Sequence, residues 1–288
     1  MTITLTLLYD RIRWDEKELL KSARAKGLNV EEVDAKNILL NLSETMAEAF
    51  GDVVLQRCIS HSRGTYASAC LESRGIMVVN KAYVSEICGN KLWTTLTLIR
   101  AGVPTPKTII AFTPESALKA AEEIGYPVVL KPLIGSWGRM VVALRDREEA
   151  EAIIELRSQM DGALNQIFYI QELVKRPPRD IRCIVVGDKL VTAVYRVSPP
   201  GEWRTNVARG GLTEPCPITA EVEDIALKAA QAVGGGVLGV DMMESPNGLL
   251  VHEVNSTVEF RGAQSATSVR IADEIVDYVI KVVKGGNR

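Results

Sequence analysis

The first 88 residues alternate short apolar runs with longer amphipathic segments. The pattern predicts strands at Ile3–Leu8, Val53–Leu55 and Ile76–Val79, and a helix at Asp15–Lys26 that Gly27 ends. Strands that alternate with helices form parallel βαβ units, so this region is predicted to fold as an open, doubly wound α/β sheet. Such sheets bind ligands beyond the carboxyl ends of their strands.

Two basic segments, Tyr9–Arg13 and Arg57–Gly64, follow predicted strands and fall at that edge of the sheet. Arginine side chains bind carboxylates in a bidentate manner, and Ser60 or Ser62 can cap the helix that follows. The segments therefore suit recognition of an acidic ligand. A solvated loop with basic residues explains them equally well.

The middle of the chain begins with a predicted helix at Lys91–Arg100 and a boundary at the glycine and proline cluster of residues 102–106. Further elements are predicted as strands at Thr108–Ala111, Val128–Leu130 and Phe168–Gln171, and as helices capped by Thr113 and Asp146. The strand at Val128–Leu130 delivers Lys131 at its carboxyl end.

Residues 131–144 read as a strand, a glycine-containing loop and another strand. Gly135 and Gly138 let the backbone approach a phosphate, while Ser136 and Arg139 add a donor and a charge. The loop lacks the GxxxxGK[ST] pattern of a Walker loop, so the pattern predicts a β-ribbon flap over the phosphates. A plain hairpin is the alternative.

Basic residues recur in the stretch Lys175–Arg179 and in the loop Trp203–Gly211. Two predicted strands, Cys183–Val186 and Lys189–Arg196, lie between them. The loop carries Arg204, Asn206 and Arg209, whose side chains suit a transferring phosphoryl group and its oxyanion. Loops of this kind also serve as simple connections.

Residues 237–260 read as two apolar strands joined by a tight turn at Ser245–Gly248. Asp241 lies on the first strand, and Glu253 and Asn255 share one face of the second because side chains alternate along a strand. Two carboxylates and an amide on apolar strands indicate a Mg²⁺ site, since magnesium takes oxygen ligands and shares its coordination with phosphates. The alternative is that they decorate the wet face of an edge hairpin.

Length and charge limit the class of protein. At 288 residues, the chain is long enough for two or three packed units. A net charge of -2 gives no general attraction to nucleic acid or an anionic membrane. Five cysteines without a CxxC pair indicate a reducing cytoplasm, and two histidines exclude a histidine metal cluster. We find neither a signal peptide at the N-terminus nor an apolar run long enough to span a bilayer.

In order and spacing, the motifs resemble those of the ATP-grasp ligases over essentially the whole chain. The most similar group is the RimK-related branch, and within it the LysX and ArgX ligases that act on the amino-group carrier protein LysW. The resemblance rests on YDRIR, RCISHSRG, GSWGR, FYIQE, PPRDIR and EVNSTVEF. It implies a pre-ATP-grasp domain at residues 1–88, a central ATP-grasp subdomain with the flap at 89–170, and a C-terminal subdomain with the metal site at 171–288.

The resemblance also implies roles for individual residues. ATP would be bound by Lys91 and Lys131 at its phosphates, by the flap Gly135, Ser136, Trp137, Gly138 and Arg139, by Gln171, Glu172, Leu173 and Val174 at adenine, and by Asp180 at ribose. Two Mg²⁺ ions would be bound by Asp241, Glu253 and Asn255. The phosphoryl group and tetrahedral oxyanion would be stabilised by Arg182, Arg196, Arg204 and Asn206.

The implied reaction converts a carboxylate to an acyl phosphate, which an amine attacks to give an amide, ADP and phosphate. In the LysX and ArgX family, the carboxylate is the side chain of the C-terminal glutamate of LysW, a small acidic protein. Lys175, Arg176 and Arg179 are the local basic surface expected for it, with a solvated turn as the alternative. A cytoplasmic homo-oligomer, a dimer or tetramer, is also expected.

The amine belongs to α-aminoadipate or glutamate in this family. Contacts with the substrates are expected from Arg57, Ser60, Arg63, Thr257, Glu259, Phe260, Gly262, Ala263, Ala266 and Thr267. Glutamate-type members carry Gly-Phe and then Ala-Thr after the EF pair, whereas aminoadipate-type members carry Asn-Ser and then Thr-Thr; this chain matches neither. Small Ala263 leaves room for one more methylene, which favours α-aminoadipate with glutamate tolerated, although a methylene discriminates by only ~1–3 kcal/mol.

Three other functions fit the same motifs. One is an ArgX-type ligase that adds glutamate to LysW, and another is a RimK-like ligase that adds glutamate to a different protein or peptide. The third is a non-catalytic nucleotide-binding regulator, which the presence of both phosphate lysines and all three metal ligands disfavours.

Overall fold

The computed structural model describes residues 2–43, 50–135, 138–199, 201 and 212–286. Within these ranges the strands form three sheets, one parallel and two antiparallel. None of the helices in these ranges has the length and apolar character needed to cross a membrane.

The first sheet is parallel, as the alternation of strands and helices predicts. Its elements are β1 (Thr4–Tyr9), α1 (Trp14–Ala25), β2 (Asn29–Asp34), β3 (Val53–Gln56), α2 (His61–Glu72), β4 (Val78–Val79) and α3 (Ala82–Gly89), with strand order β2-β1-β3-β4. The sequence pattern does not predict β2, because this edge strand has a polar sequence and only its two valines offer apolar side chains.

The second sheet is antiparallel and carries the predicted β-ribbon. Its elements are α4 (Lys91–Arg100), β5 (Thr108–Ala111), α5 (Pro114–Ile124), β6 (Val128–Lys131), β7 (Val142–Leu144), α6 (Arg147–Ser158), a 3₁₀ turn (Ala163–Gln166) and β8 (Phe168–Glu172), with strand order β5-β8-β6-β7. Thr113 caps α5 as predicted, and the Asp146 side chain accepts from the Glu149 amide at the start of α6. The Glu149 carboxylate accepts the backbone N–H of Arg145 at 2.8 Å.

The third sheet holds the hairpin with the predicted metal ligands. Its elements are β9 (Arg179–Val186), β10 (Lys189–Val197), β11 (Leu212–Pro215), α7 (Ala220–Ala232), β12 (Val237–Ser245), β13 (Gly248–Asn255), α8 (Arg261–Ser265) and α9 (Ile271–Gly286), with strand order β11-β10-β9-β12-β13. Helix α9 packs on the first domain, because Ile275, Val276 and Val279 share one buried cluster with Leu5 and Leu19. The last helix of the chain therefore completes the core of the first sheet.

Asn80 connects the first domain to the β12–β13 hairpin, which carries the predicted metal ligands. This buried side chain donates from Nδ2 to the carbonyls of Val237, at 2.7 Å, and Ser256, at 2.6 Å. Its Oδ1 accepts the Val237 N–H at 2.7 Å. One amide thus satisfies backbone groups at the beginning of β12 and just beyond the end of β13, so the hairpin is fixed relative to the parallel sheet.

Candidate active site

The β12–β13 hairpin brings the predicted metal ligands together. Asp241 pairs directly opposite Glu253, and the Asn255 amide lies 3.4 Å from Asp241 Oδ2. The register shifts after Asp241, which leaves His252 as an extra residue on β13. The turn is closed by the Ser245 hydroxyl, which donates to the Gly248 carbonyl at 2.7 Å. The hairpin therefore has the turn position and the pairing of Asp241 with Glu253 that the sequence predicts.

Two arginines neutralise the Asp241 carboxylate, whose residue is only 1% exposed. Arg182 on β9 makes a bidentate ion pair with it, and Arg196 Nη2 on β10 lies 3.1 Å from Oδ2. Burial by itself raises the pKa of Asp241, but the two guanidinium groups outweigh burial and lower that pKa to about 2. Asp241 is therefore a carboxylate at neutral pH.

Asp180 lies beneath this cluster and does not reach outward to a ribose. Both of its oxygens accept from Arg196, at 2.7 and 2.6 Å, and the residue is 1% exposed. The predicted ribose contact is therefore replaced by a structural one, in which Asp180 orients Arg196. Burial opposes the charge of Arg196, but Asp241 and Asp180 raise its pKa overall, so the guanidinium remains charged.

His252 lies 3.9 Å from Asp180 but does not form an ion pair with it at neutral pH. Burial, reinforced by nearby Lys131, lowers the pKa of His252 to about 3. The imidazole is therefore neutral, and its Nε2 atom has no hydrogen-bond partner.

Two lysines approach the hairpin from elsewhere in the chain, as the sequence predicts. Lys91 Nζ, at the start of α4, lies 3.7 Å from Glu253 Oε1 and donates to the Gly135 carbonyl at 2.9 Å. Lys131 Nζ, at the end of β6, donates to Gln171 Oε1 at 2.5 Å. Its ammonium group also interacts electrostatically with the Glu253 carboxylate. Both ammonium groups thus lie on the same side of the molecule as the metal hairpin.

The pKa of Lys131 is lowered to about 8. Burial is the largest cause, since the residue is 8% exposed, and the positive charges of Lys91 and Arg176 add to it. An ammonium group under such conditions gains stability from any anion that enters beside it. This environment suits Lys131 for binding a phosphate.

The predicted adenine-binding segment lies beside Lys131. The Gln171 amide donates to Thr108 Oγ1 and Tyr169 Oη, both at 2.9 Å, so this buried side chain orients Lys131. Glu172 accepts the Lys107 N–H at 2.8 Å. The backbone N–H of Leu173 already donates to Pro127. The side chains of Gln171 and Glu172 therefore make hydrogen bonds that stabilise the local structure.

The loop between β6 and β7 is only partly described. Gly135 and Gly138 adopt positive φ angles of 153° and 66°, and Arg139 is exposed. Ser136 and Trp137, and likewise Arg204, Asn206 and Arg209 of the second loop, lie outside the described residues. The two-stranded ribbon itself is confirmed by the antiparallel pairing of β6 with β7.

A cavity of about 1080 Å³ opens from the hairpin toward the first domain. Ten of the residues that the sequence predicts to be site residues line this cavity: Lys91, Gly135, Arg182, Arg196, Glu253, Asn255, Thr257, Glu259, Gly262 and Ala263. It is also lined by Arg13 and His61 of the two basic segments, and by residues that the sequence does not single out, among them Trp14, Asp15, Cys88 and Arg261. The cavity thus joins Lys91 and the β12–β13 hairpin to the segment after Asn255.

The comparison with known families decides what this arrangement is. Residues 88–279 match the RimK-like ATP-grasp domain, and residues 5–87 match the LysX preATP-grasp domain. The chain belongs to the RimK-like ATP-grasp family.

Relatives of this RimK-like ATP-grasp protein have similar lengths and two different substrates in their names. The chain is 35% identical to the alpha-aminoadipate--LysW ligase LysX of Sulfurisphaera tokodaii, covering 97% of this chain and 99% of the relative. It is 36% identical to the glutamate--LysW ligase ArgX of the same organism, covering 96% and 97%. A crystal structure of a RimK domain ATP-grasp protein from Sphaerobacter thermophilus has a TM-score of 0.82 and 27% identity, and covers 96% of this chain and 98% of that one.

In this RimK-like ATP-grasp protein, the structure contradicts the substrate contacts expected of Arg57 and Phe260. Arg57 donates to buried Glu16 at 3.1 Å and to the Val258 carbonyl at 3.0 Å, so its guanidinium supports the cavity wall from behind. Phe260 is fully buried and packs edge-on against Trp14, with ring centroids 5.8 Å apart. Neither side chain lines the cavity.

Ser60 and Arg63 are used within the first domain. Ser60 caps α2 as predicted, and Arg63 donates to Asp10 at 2.8 Å. Asp10 also accepts the N–H groups of Ile59 and Ser60, so it holds the loop before α2. Ala266 and Thr267, like these two residues, lie outside the lining of the cavity.

Within the RimK-like ATP-grasp fold, Arg179 of the basic stretch Lys175–Arg179 is paired with a carboxylate. Arg179 makes two hydrogen bonds to Glu244, at 2.7 and 2.8 Å, and stacks 3.8 Å from the centre of the Tyr195 ring. Arg176 donates to the Arg179 carbonyl. Within the predicted basic surface, Lys175 is therefore exposed, whereas Arg176 and Arg179 are half-buried and make hydrogen bonds within the chain.

Glu253 and Asn255 line the cavity and offer oxygen atoms that suit a magnesium ion, whereas both oxygens of buried Asp241 accept from Arg182 and Asp241 does not line the cavity. In the described part of the chain, no group of three or more histidine, cysteine, aspartate and glutamate side chains forms a metal cluster. The hairpin instead offers two carboxylates, Asp241 and Glu253, in register on adjacent strands, with the Asn255 amide beside them. Hard oxygen ligands in small number are what Mg²⁺ needs when a phosphate supplies the others.

Proposed function

We propose that this chain is an ATP-dependent ligase that joins the amino group of a dicarboxylic amino acid to the side-chain carboxylate of the C-terminal glutamate of LysW. The observation that carries the proposal is that Lys91, Arg182, Arg196 and Glu253 converge on one cavity that continues to the segment after Asn255. Full-length similarity to both LysX and ArgX ligases supports LysW as the protein substrate.

In the first half-reaction, an oxygen of the carboxylate attacks the γ-phosphorus of ATP, and ADP leaves. Lys91 and Lys131 bind and orient the phosphates, and the buried charge of Lys131 is stabilised by them. Asp241, Glu253 and Asn255 would hold Mg²⁺, which when bound neutralises charge on the β- and γ-phosphates. Little covalent chemistry falls to the protein, so positioning and charge neutralisation supply the rate.

In the second half-reaction, the amino nitrogen attacks the acyl carbon, phosphate leaves, and the amine loses a proton. Arg182 and Arg196 line the cavity and carry fixed positive charge toward the developing oxyanion. Arg204 and Asn206 are proposed for the same purpose. Gly135, Ser136, Trp137, Gly138 and Arg139 are proposed to cover the phosphates, and the backbone of residues 171–174 to bind adenine.

Thr257, Gly262 and Ala263 are proposed to contact the amino acid, since they line the cavity on the side of the first domain. Small Ala263 favours α-aminoadipate with glutamate tolerated. Two Mg²⁺ ions and a homo-oligomer are proposed as well. The five cysteines are all unpaired, which supports a reducing cytoplasm as the compartment.

The proposal is tested by incubating the enzyme with ATP, Mg²⁺, purified LysW and either amino acid, and measuring the intact mass of LysW. We expect a mass gain of one amino-acid residue, larger in yield with α-aminoadipate than with glutamate. A gain with glutamate alone assigns an ArgX-type ligase. Absence of any gain overturns LysW as the substrate and favours a RimK-like ligase for another protein. ATP binding without turnover on any acceptor would point to a regulator.

The lowered pKa of Lys131 predicts that nucleotide binding weakens as pH rises. Above a pKa of about 8 the free enzyme loses the ammonium charge, whereas bound phosphate favours the charged form. We expect ADP affinity to fall by up to ~10-fold for each pH unit above that pKa, with proton uptake on binding near it. Calorimetry in two buffers with different ionisation enthalpies measures both quantities.

Two variants check this assignment to Lys131. Lys131→Met is expected to weaken ADP binding and abolish the proton uptake. Lys107→Met is the control, because Lys107 Nζ is exposed and donates only to the Glu123 carbonyl. Proton uptake that persists in Lys131→Met would assign the titration to another group.

A further inference from the structure

Arg13 occupies an unusual position on the wall of the cavity. It precedes α1, and its Nε and Nη2 donate to the Glu16 carboxylate at 2.9 and 2.8 Å. Glu16 is fully buried and also receives the Arg13 backbone N–H and the Arg57 side chain. One edge of the Arg13 guanidinium, formed by Nε and Nη2, is therefore fixed, and the remaining nitrogen, Nη1, is directed to the other side.

Nη1 of Arg13 meets the Glu259 carboxylate at 2.5 Å. The two partners are unequal: the Arg13 side chain is 17% exposed, whereas that of Glu259 is 47% exposed, and both residues line the cavity. An exposed glutamate is held weakly, since water competes for its charge. Glu259 is therefore exchangeable, whereas Arg13 is fixed by a buried carboxylate.

The carboxylates around Arg13 differ in the groups that they bind. Arg13 and Arg57 carry two positive charges and Glu16 one negative charge. Asp15 faces the same cavity, but its Oδ1 accepts the N–H groups of Phe260 and Arg261, at 2.6 and 3.2 Å. Among the described residues, the carboxylate that Arg13 Nη1 contacts is therefore Glu259, which lies within the same chain.

We propose that Arg13 is a specificity residue that binds a carboxylate of the amino-acid substrate, and that Glu259 occupies this place until the substrate displaces it. The inference rests on the proposed function, in which a dicarboxylic amino acid binds beside Thr257, Gly262 and Ala263 in the cavity that Arg13 also lines. Glu16 and Arg57 are positioning residues that hold the Arg13 fork. Glu259, which the resemblance assigns to substrate contact, competes with the substrate instead.

The experiment compares Arg13→Gln and Arg13→Lys with the control Arg11→Gln, an exposed arginine in the same loop that does not line the cavity. For each enzyme, kcat and KM are measured for the amino acid and for ATP. Replacing the amino acid with hydroxylamine traps the acyl phosphate of LysW as a hydroxamate, which reports the first half-reaction alone. A wild-type enzyme that forms no hydroxamate on LysW overturns the proposed function rather than this inference.

We expect Arg13→Gln to lower kcat/KM for the amino acid by roughly 10- to 100-fold, mainly through KM, as one charge-assisted hydrogen bond is lost. The ratio of amide synthesis to hydroxamate formation falls with it. Arg13→Lys is expected to fall between Arg13→Gln and the wild type, because lysine keeps the charge opposite Glu16 but loses the fork. An amino-acid KM that stays at the wild-type value in Arg13→Gln, or that rises together with the KM for ATP, overturns the inference.

Amide analogues identify which carboxylate binds. The wild-type enzyme is compared with Arg13→Gln on the amino acid whose side-chain carboxylate is an amide and on the one whose α-carboxylate is an amide. The preference for the acid over the amide collapses in Arg13→Gln for the carboxylate that Arg13 binds. If both preferences survive in full, Arg13 binds neither.

Glu259→Gln gives a change of the opposite sign. Removing an internal competitor raises the fraction of enzyme ready to bind, so the amino-acid KM is expected to fall. A rise in that KM would mean that Glu259 contacts the substrate directly and would overturn the displacement step.

Discussion

Replacing Glu253 with glutamine is expected to remove nearly all ligase activity while leaving the protein folded. The side chain is 26% exposed, faces Lys91 and lies in register with Asp241, so the substitution removes one charged metal ligand without opening the core. We expect a loss of about 3–4 kcal/mol in transition-state stabilisation, or roughly 10²- to 10³-fold in kcat. Amide formation on LysW, measured across a range of Mg²⁺ concentrations, tests this.

Glu244→Gln is a closely matched control for that experiment. Glu244 lies on the same hairpin, is 25% exposed and is paired with Arg179, yet it does not line the cavity. Its replacement should leave both kcat and the Mg²⁺ dependence near wild type. Equal losses in the two variants would show that the hairpin is merely sensitive to charge and would remove Glu253 from the metal site.

Replacing Arg196 with leucine is expected to destabilise the fold strongly. The substitution leaves Asp180 and Asp241 with their carboxylates buried and short of a cation, which costs about 3–5 kcal/mol of unfolding free energy. Urea unfolding measures the change. Arg145→Leu is the control, because the exposed Arg145–Glu149 pair contributes under about 1 kcal/mol.

The pH dependence of this loss has a definite sign. In the wild type the pKa of Asp241 is lowered from 3.8 to about 2, so its contribution to stability is present above pH 3.8 and disappears as the pH falls toward 2. Without Arg196 the Asp241 carboxylate becomes easier to protonate, and protonation removes the cost of keeping its charge buried. The difference between wild type and variant should therefore be larger at about pH 7 than at about pH 4. An unchanged difference would assign the loss to packing.

Local patterns predict the catalytic hairpin well. The alternation of apolar residues and the Pro-Asn turn determine which residues share a face, so Asp241 meets Glu253 as expected. Helix caps such as Ser60 and Thr113 are equally local and are found where predicted. Strand β2 is missed because an edge strand needs little apolar surface and so leaves little pattern to detect.

Contacts between distant parts of the chain are what the sequence does not reveal. Arg13 and Glu259 are 246 residues apart, and nothing near either residue indicates that they pair. The family resemblance assigns ligand contacts to Arg57 and Asp180, which are both polar. In the structure both are buried in ion pairs, since each is needed to hold a second charged residue in place. Polarity alone does not distinguish a group that binds from one that supports.

The segment between β13 and α8 is fastened to the first domain at four backbone groups. Asn80 holds the Ser256 carbonyl, Arg57 holds the Val258 carbonyl, and Asp15 holds the N–H groups of Phe260 and Arg261. The position of this segment, which we propose contacts the amino acid, thus depends jointly on two stretches that lie far apart in the sequence. A chimera between relatives that exchanges only one stretch would inherit mismatched anchors, so both must be transplanted together for the preference to follow.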